Sequence, residues 1–423
     1  MLSSHFRLTL LAPLFLVAAC NVLAAPEPDL GALDLKPELA DKDTNAGRKL
    51  FVETAIGRAA QRYGLASQTI SRASVDYRVS SRLSPSMQAT FSARVDATDP
   101  EDAGIGGAVL SLREVSVGWQ GEAATSLVEL GRINLREGPG YGYNPTDFFR
   151  DQALRTITTV NPFTLRENRL GTVMLRAQRL WSEASASLVL APKLESRRSR
   201  DGFSADLGAT NARSRGLLAL SNRWSEKLNT QFLVYKEDGT STRLGGSLTA
   251  LVSKAAVVHA EGSSSRESDL LSRAIGQPSA PASRSRLAAG LTYTTEGRLS
   301  VTAEAQYNGF ALGRDGWRSR VQSSPLVQSA YYFQSQVLQD NAARHSWLLY
   351  AVQRDLGFKG LDLAVLVKVN RNDRSRMLWL DLRHHFDRVD LALQVQRNTG
   401  EGGSEFGVIP IRASAGLVAT FYF

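Results

Sequence analysis

Arginine is the residue type with the most evident chemistry in this chain. The 423 residues include 50 lysines and arginines against 41 aspartates and glutamates, which gives a formal net charge of +9. A guanidinium group is planar and always charged, and its fork of donors matches the oxygens of carboxylate, phosphate and sulfate groups. Arginines that share one surface are therefore candidate binding or selectivity groups for anions.

Four cations lie in segments whose apolar residues recur at every second position. Successive side chains of a β-strand point to opposite faces, so residues two apart share a face. In each segment the cation falls on the polar face, opposite a row of aliphatic or aromatic residues. These polar-face cations are Arg78, Arg94, Lys368 and Arg412, and the acidic side chains predicted to pair with such cations are Asp76, Asp96, Glu304 and Asp381.

A second group of arginines belongs to the stretch 110–169. This stretch contains a Leu-Arg-Glu strand, a Leu-Gly-Arg strand that ends at Arg132, and a glycine-rich segment from Gly138 to Phe149. Glycine and proline at this density predict a loop. The loop can fold into an interior and set its electric field, or form an external lid with paired charges, and both alternatives stay open. Its cations are Arg150, Arg155, Arg166 and Arg169.

Enzymatic chemistry has weak support. The histidines beyond the N-terminal segment lie in no nucleophile elbow and no pair with metal-ligand spacing; they are His259, His345, His384 and His385. Cys20 is the single cysteine, which excludes an intramolecular disulfide and thiolate metal sites. We expect no catalytic residues, no metal and no cofactor.

The elements that carry these residues are strands of about ten residues. Period-two alternation runs from Ile70 to the final strand, Ile411 to Phe423, whose odd-numbered positions are apolar. Short turns alternate with long connections, the long ones being 134–168, 195–213, 262–284, 311–344 and 398–410. Strands of this length with two classes of connection are typical of a transmembrane barrel. The sequence therefore predicts an all-β, antiparallel, up-and-down barrel.

Seventeen candidate strands can be counted, and a single-chain barrel with both ends on one side needs an even number. Either a strand is hidden near 50–66 or 313–344, which gives 18, or a weak segment such as 255–262 is a loop, which gives 16. The expectation is 16 or 18 strands.

The N-terminal region lacks alternation. Residues 1–24 have the charged start, apolar run and small residues of a signal peptide, and cleavage after Ala24 competes with lipidation of Cys20. Residues 25–66 are predicted to be a periplasmic leader that contains a helix, Asn45 to Tyr63, as a possible plug or a segment across the rim. The barrel is predicted to span 67–423.

The final strand, closing on Phe423, resembles the last strand of Gram-negative outer-membrane β-barrels. That resemblance implies that Phe423 is part of the signal read by the barrel-insertion machinery. The order of strands and glycine-rich loop in 110–169 resembles, more loosely, porin-like barrels of the alginate-export type. It implies a channel and identifies no particular solute.

The predicted function is a porin-like outer-membrane channel that passively admits small, preferentially anionic solutes. An export barrel for an exopolysaccharide or another secreted polymer, and a surface receptor or adhesion barrel, stay as alternatives. The predicted partners are outer-membrane lipid and lipopolysaccharide, the insertion machinery, and small anionic solutes or an anionic polymer. Nucleic acid is excluded because an exported chain meets no genome. The candidate lumen or selectivity residues are the nine cations Arg78, Arg94, Arg132, Arg150, Arg155, Arg166, Arg169, Lys368 and Arg412.

Overall fold

The computed structural model describes residues 47–102, 106–121, 125–277, 279–320 and 324–423, without the side chains of residues 102, 106 and 320. The predicted signal peptide and Cys20 lie outside the described residues. Among the residues described, no helix is long and apolar enough to cross a membrane.

Eighteen antiparallel strands form one closed sheet. The first nine strands are β1 Gly47–Gln61, β2 Gln68–Ser84, β3 Met87–Asp102, β4 Gly106–Gln120, β5 Ser126–Ile133, β6 Thr172–Leu180, β7 Ala184–Ala191, β8 Arg215–Ser225 and β9 Leu228–Glu237. The others are β10 Arg243–Ser253, β11 Ala256–Glu267, β12 Ala282–Thr294, β13 Leu299–Asn308, β14 His345–Gln353, β15 Leu361–Asn370, β16 Arg376–His385, β17 Val389–Thr399 and β18 Ile411–Tyr422. Each strand pairs with its neighbours in sequence, and β1 also pairs with β18. The predicted up-and-down barrel is confirmed.

The strand alternation separates a polar interior from an apolar exterior. On β18, Leu417 is 62% exposed, whereas Val418 and Thr420 on the opposite face are buried. The same division holds on β17, where Leu391 is exposed and Asp390 is buried. An exposed apolar band on a closed barrel is the surface that contacts lipid.

The predicted helix from Asn45 to Tyr63 is wrong, because the described part of it is the strand β1. Val52 lies opposite Val75 of β2 and Phe421 of β18, so the alternating residues of β1 join the outer face. The edges of β2 and β18 would carry unpaired backbone groups without an extended segment between them. The described part of this segment is therefore no plug, and the described barrel begins at residue 47 instead of 67. Residues 25–46 of the predicted leader lie outside the described residues.

The strand found near 50–66 brings the count to 18, one of the two expected numbers. The weak segment 255–262 belongs to β11 from Ala256 onward, and the stretch 313–344 contains two helices and no strand among its described residues. Five helices occur in the described residues, all in long connections: α1 Pro162–Glu167, α2 Leu207–Thr210, α3 Leu270–Ala274, α4 Arg314–Arg320 and α5 Pro325–Val337.

All the long connections lie at one end of the barrel, together with a few short ones such as 238–242 and 371–375. The opposite end has only short turns and also carries Gly47 and Phe423, whose N–H donates to the Leu50 carbonyl at 2.9 Å. Short turns mark the periplasmic end of an outer-membrane barrel, so the long connections are extracellular.

Candidate functional site

The inward loop, residues 134–171 between β5 and β6, turns into the barrel. Glu261 of β11 is a buried interior residue whose carboxylate receives the loop backbone. Its Oε1 accepts hydrogen bonds from the Gly140 N–H at 2.6 Å and the Asn144 amide at 3.1 Å. Its Oε2 accepts from the Thr146 N–H at 3.0 Å and from the Thr146 hydroxyl. One carboxylate therefore holds three residues of the loop.

The glycines of this loop are required by the close approach to Glu261. A Cβ at Gly138 would overlap Oε2, and a Cβ at Gly140 would overlap Oε1. Gly138 also has a φ of +86°, a conformation that favours glycine. The glycine-rich composition thus follows from backbone that lies against a wall carboxylate.

Glu304 of β13 is a second anchor for the loop. Its Oε2 accepts from the Tyr141 N–H at 2.6 Å, and its Oε1 accepts from the Gly142 N–H at 3.1 Å. The Gln306 amide donates to Oε1 at 2.6 Å, and His259 Nε2 lies 3.1 Å from Oε2. Adjacent peptide N–H groups of the loop are therefore bound by two neighbouring wall carboxylates.

Apolar packing fixes the loop on two sectors of the wall. On one side, the loop residues Leu135, Phe148 and Phe149 join a buried cluster with inward residues of β6 to β9, and Phe148 stacks on Tyr235 with ring centroids 4.9 Å apart. On another side, Tyr141 and Phe163 pack against the apolar cluster of β14 to β16.

Hydrogen bonds attach the loop to a third sector. Arg72 of β2 donates to the Thr158 carbonyl at 2.5 Å, and the Thr156 hydroxyl donates to Asp96 of β3 at 3.1 Å. The loop thus contacts the wall at β2–β3, at β6–β9 and at β11–β16. It crosses the interior, so the inward alternative for this loop is the one the structure has.

A second connection, 309–344, is tied to the inward loop through Asp340. Its carboxylate lies 2.9 Å from Arg286 Nε and 3.4 Å from Arg150 Nη2, and it accepts from the Tyr143 hydroxyl. Burial pushes the pKa of Asp340 upward, but the two arginines outweigh burial and lower the pKa to about 2. Asp340 therefore stays ionised over the ordinary pH range.

Arg94 lies on the inner face as predicted, but three carboxylates surround it. Its Nε is 2.9 Å from Asp96, its Nη2 is 3.1 Å from Glu53, and its Nη1 is 3.5 Å from Asp76. The pairing with Asp76 and Asp96 that the sequence predicted is confirmed. Arg94 is only 4% exposed, so it stiffens the wall and presents little charge to solvent.

Two further arginines complete this network. Arg72 pairs with Glu53, and Arg113 Nη2 lies 2.5 Å from Asp76. The network therefore contains three arginines and three carboxylates and is neutral. Arg113 occupies a register shift between β3 and β4, where Ser92 opposes Glu114 and the next residue opposes Leu112. This bulge directs both Arg113 and Glu114 inward.

In this arrangement the loop arginines hold the loop in place through ion pairs and hydrogen bonds. Arg169 lies 2.7 Å from Asp147 and Arg166 lies 3.6 Å from the same carboxylate. Arg155 donates to backbone carbonyls, including that of Ser204 at 2.7 Å, and lies 3.7 Å from Asp206. Each is bound within the folded interior.

Arg132 and Arg150 have the same character. Arg132 donates to the Gly171 carbonyl at 2.9 Å and to the Ala205 carbonyl, which joins the inward loop to the connection before β8. Arg150 donates to the Asn144 carbonyl and pairs with Asp340. A role of these arginines in ion selectivity stays a prediction.

The remaining predicted cations are more accessible. Arg78 is partly exposed and its Nη2 lies 3.6 Å from Glu114, while Lys368 donates to the Asn341 side chain at 2.9 Å. Arg412 is exposed on the inner face at the extracellular end of β18 and has no ion pair with a described residue.

The periplasmic half of the interior is open to water. Partly exposed charged side chains lie there on several strands, among them Arg78, Glu114, Asp362, Arg383 and His385, with side-chain exposures between 17% and 31%. His385 lies between Asp390 at 2.9 Å and Asp362 at 3.5 Å. His385 therefore belongs to a polar contact of the wall, as His259 does beside Glu304, whereas His345 packs on Tyr307 and His384 packs on Phe358 and Phe386.

Several residues of the site were missed from the sequence. Glu53 was hidden in the predicted helix, and Arg113 escaped because a bulge interrupts the alternation. For Glu261, the strand alternation offered one signal, because it places this carboxylate on the inner face, where a glycine-rich loop can reach it.

No protein-family model and no curated protein sequence matches this chain. Solved structures do. OccAB1 of Acinetobacter baumannii aligns with a TM-score of 0.59 at 11% identity, over 89% of this chain and 96% of that chain. OccAB4 of the same organism aligns with a TM-score of 0.55 at 10% identity, over 91% and 99%. OpdL of Pseudomonas aeruginosa aligns with a TM-score of 0.53 at 10% identity, over 90% and 99%. The chain therefore has the closed 18-strand barrel fold of Gram-negative outer-membrane porins.

Proposed function

We propose that this chain is a passive outer-membrane channel for small solutes with a mild preference for anions. The observation that carries the proposal is the inward loop, which narrows a closed barrel and is bound to the wall on three sectors. The constriction is rigid and lies between the long extracellular connections and a water-accessible periplasmic half. Such a channel suits small solutes.

The anion preference rests on the balance of accessible charge. The network around Arg94 is neutral, and Glu114 is paired with Arg78. Exposed inner-face cations without an ion pair among the described residues are Lys49, Arg82 and Arg412. Low-dielectric walls focus the field of such charges, which favours entry of anions.

The export alternative has less support, because a loop that crosses the interior obstructs a thick polymer. A deletion of residues 26–66 cannot test a plug, since it removes β1. Deletion of residues 26–46 leaves the barrel strands in place, and unchanged conductance in that variant supports an open channel. A large rise in conductance favours a plugged exporter.

Planar-bilayer recordings in a KCl gradient test the anion preference. We expect chloride to pass more readily than potassium, with a preference that shrinks as salt rises, because the Debye length falls from about 10 Å at 0.1 M to about 3 Å at 1 M. Arg412→Glu should shift the reversal potential toward cation selectivity, whereas Arg94→Glu should impair assembly by placing four carboxylates together. A cation-selective wild type at low salt contradicts the preference, and absence of any conductance or liposome swelling contradicts the channel.

A further inference from the structure

Four arginines lie on the outer surface of the barrel at its extracellular rim. One is the residue just after β15, and the others belong to β16, β17 and β1. These four strands and β18, which lies between β17 and β1, are consecutive neighbours in the closed sheet. We call Arg371, Arg376, Arg397 and Arg58 the rim arginines.

The strand register places three of them on the lipid-facing side. Arg376 lies opposite Val369, Arg397 lies opposite Leu378, and Arg58 lies opposite Ala415. Directly opposed residues of antiparallel strands share a face. All three partners belong to the apolar series of their strands, which faces outward.

Arg371 reaches the same surface by stacking on an aromatic ring. Its guanidinium carbon lies 5.1 Å from the ring centroid of Trp347, an outward residue that is 55% exposed. Cation–π stacking leaves the donors of the guanidinium available to another ligand. The stacked side chain is therefore held in place at the rim.

The rim arginines differ from the interior ones in having no acidic partner. All four are exposed, and none forms an ion pair with a carboxylate of the described residues. An arginine on the lipid face costs about 2–4 kcal/mol at the midplane and roughly 0–1 kcal/mol near the interface. Their placement at strand ends therefore brings the charges to the level of lipid headgroups.

Their spacing allows them to act together. Strands of a sheet are about 4.8 Å apart, and diagonal neighbours across a strand pair are about 7–8 Å apart. Arg397 is a diagonal neighbour of Arg376, which lies opposite Thr399. Arg58 is separated from Arg397 by β18 alone. Several guanidinium groups can therefore contact one headgroup that carries more than one phosphate.

We propose that the rim arginines form a binding site for the phosphate groups of lipopolysaccharide in the outer leaflet. Guanidinium forks bind phosphate oxygens with two parallel hydrogen bonds, and such contacts are strong. The extracellular end of an outer-membrane barrel meets the leaflet that contains this lipid. The positive charge without an acidic partner complements its phosphates.

Binding of purified lipids to the full chain in detergent tests the site. The variant Arg376→Gln/Arg397→Gln removes two neighbouring charges. Arg48→Gln is the matched control, because Arg48 is an outward, exposed arginine at the periplasmic rim that stacks on Tyr77 at 5.7 Å. Heat-modifiable gel mobility shows that each barrel is folded. The probes are lipid A with two phosphates, lipid A with one phosphate, and phosphatidylglycerol.

We expect the double variant to bind diphosphorylated lipid A about thirtyfold more weakly, on the basis of the usual contribution of a basic side chain near an anionic surface. Arg48→Gln should bind it as the wild type does, and monophosphorylated lipid A should bind the wild type more weakly. Equal affinity of the folded double variant and the wild type overturns the proposal. Equal affinity of wild type for phosphatidylglycerol and diphosphorylated lipid A also overturns it, because the site then recognises any anionic lipid.

Discussion

Glu261→Gln is the sharpest test of how the interior is built. Each carboxylate oxygen accepts two hydrogen bonds from the inward loop. Whichever way the new amide turns, its NH₂ group faces two donors, one of which is a backbone N–H. Hydrogen bonds to charged groups contribute about 1.5–3 kcal/mol each, and two are lost. The Thr146 hydroxyl can reverse and accept, so we expect a net loss of about 2–4 kcal/mol of anchoring.

A loss of this size lowers the ratio of anchored to released loop by about thirtyfold to several hundredfold. Glu304 and the apolar clusters still hold other parts of the loop. We therefore expect intermittent release, seen in planar bilayers as higher mean conductance and larger current noise. Glu114→Gln is the control. Glu114 is an inward carboxylate that lies 3.6 Å from Arg78, so its substitution removes the same charge without touching the loop. If Glu261→Gln and Glu114→Gln both conduct as quietly as the wild type, the anchoring role of Glu261 is refuted.

Three further predictions concern stability and assembly. Asp340→Asn should lower the free energy of unfolding. Because the native pKa of Asp340 is lowered to about 2 from 3.8, the stability difference between wild type and variant should be constant at neutral pH and shrink by roughly 2 kcal/mol as pH falls from about 4 toward 2. A stability difference that is independent of pH in urea titrations contradicts the ion pairing. Leu391→Arg should make the free energy of insertion into lipid vesicles less favourable by about 2–4 kcal/mol, whereas Gln394→Arg on the inner face should insert nearly normally. Equal insertion of the two variants contradicts the assignment of faces. Removal of Phe423 should reduce the surface yield of folded barrel in cells, and an unchanged yield argues against a targeting role.

The sequence by itself determined which side chains of a strand face the interior of the barrel and which face the lipid. Alternation requires no long-range information, because neighbouring side chains of a strand must point to opposite faces. The inward positions of Arg78, Arg94 and Lys368 followed from this rule alone. So did the outward position of Leu391. The two classes of connection were also visible, since turn length is a local property.

Only the tertiary structure decided how the barrel closes. β1 carries apolar residues near helical spacing as well as at alternate positions, so both periods fit its sequence. The edges of β2 and β18 select the extended form, because backbone groups in a membrane must be satisfied by hydrogen bonds. That selection depends on two strands about 20 and 360 residues farther along the chain.

The tertiary structure also decided which charges stay accessible. The sequence placed Arg94 and Arg412 on one face and did not distinguish them. In the folded chain Arg94 meets carboxylates from three strands, whereas Arg412 has no ion pair with a described residue. Likewise, only the fold brings Glu261 and Glu304 to the glycine-rich loop. Charge pairing across a barrel depends on which strands become neighbours and on where a loop returns, and local sequence patterns contain neither.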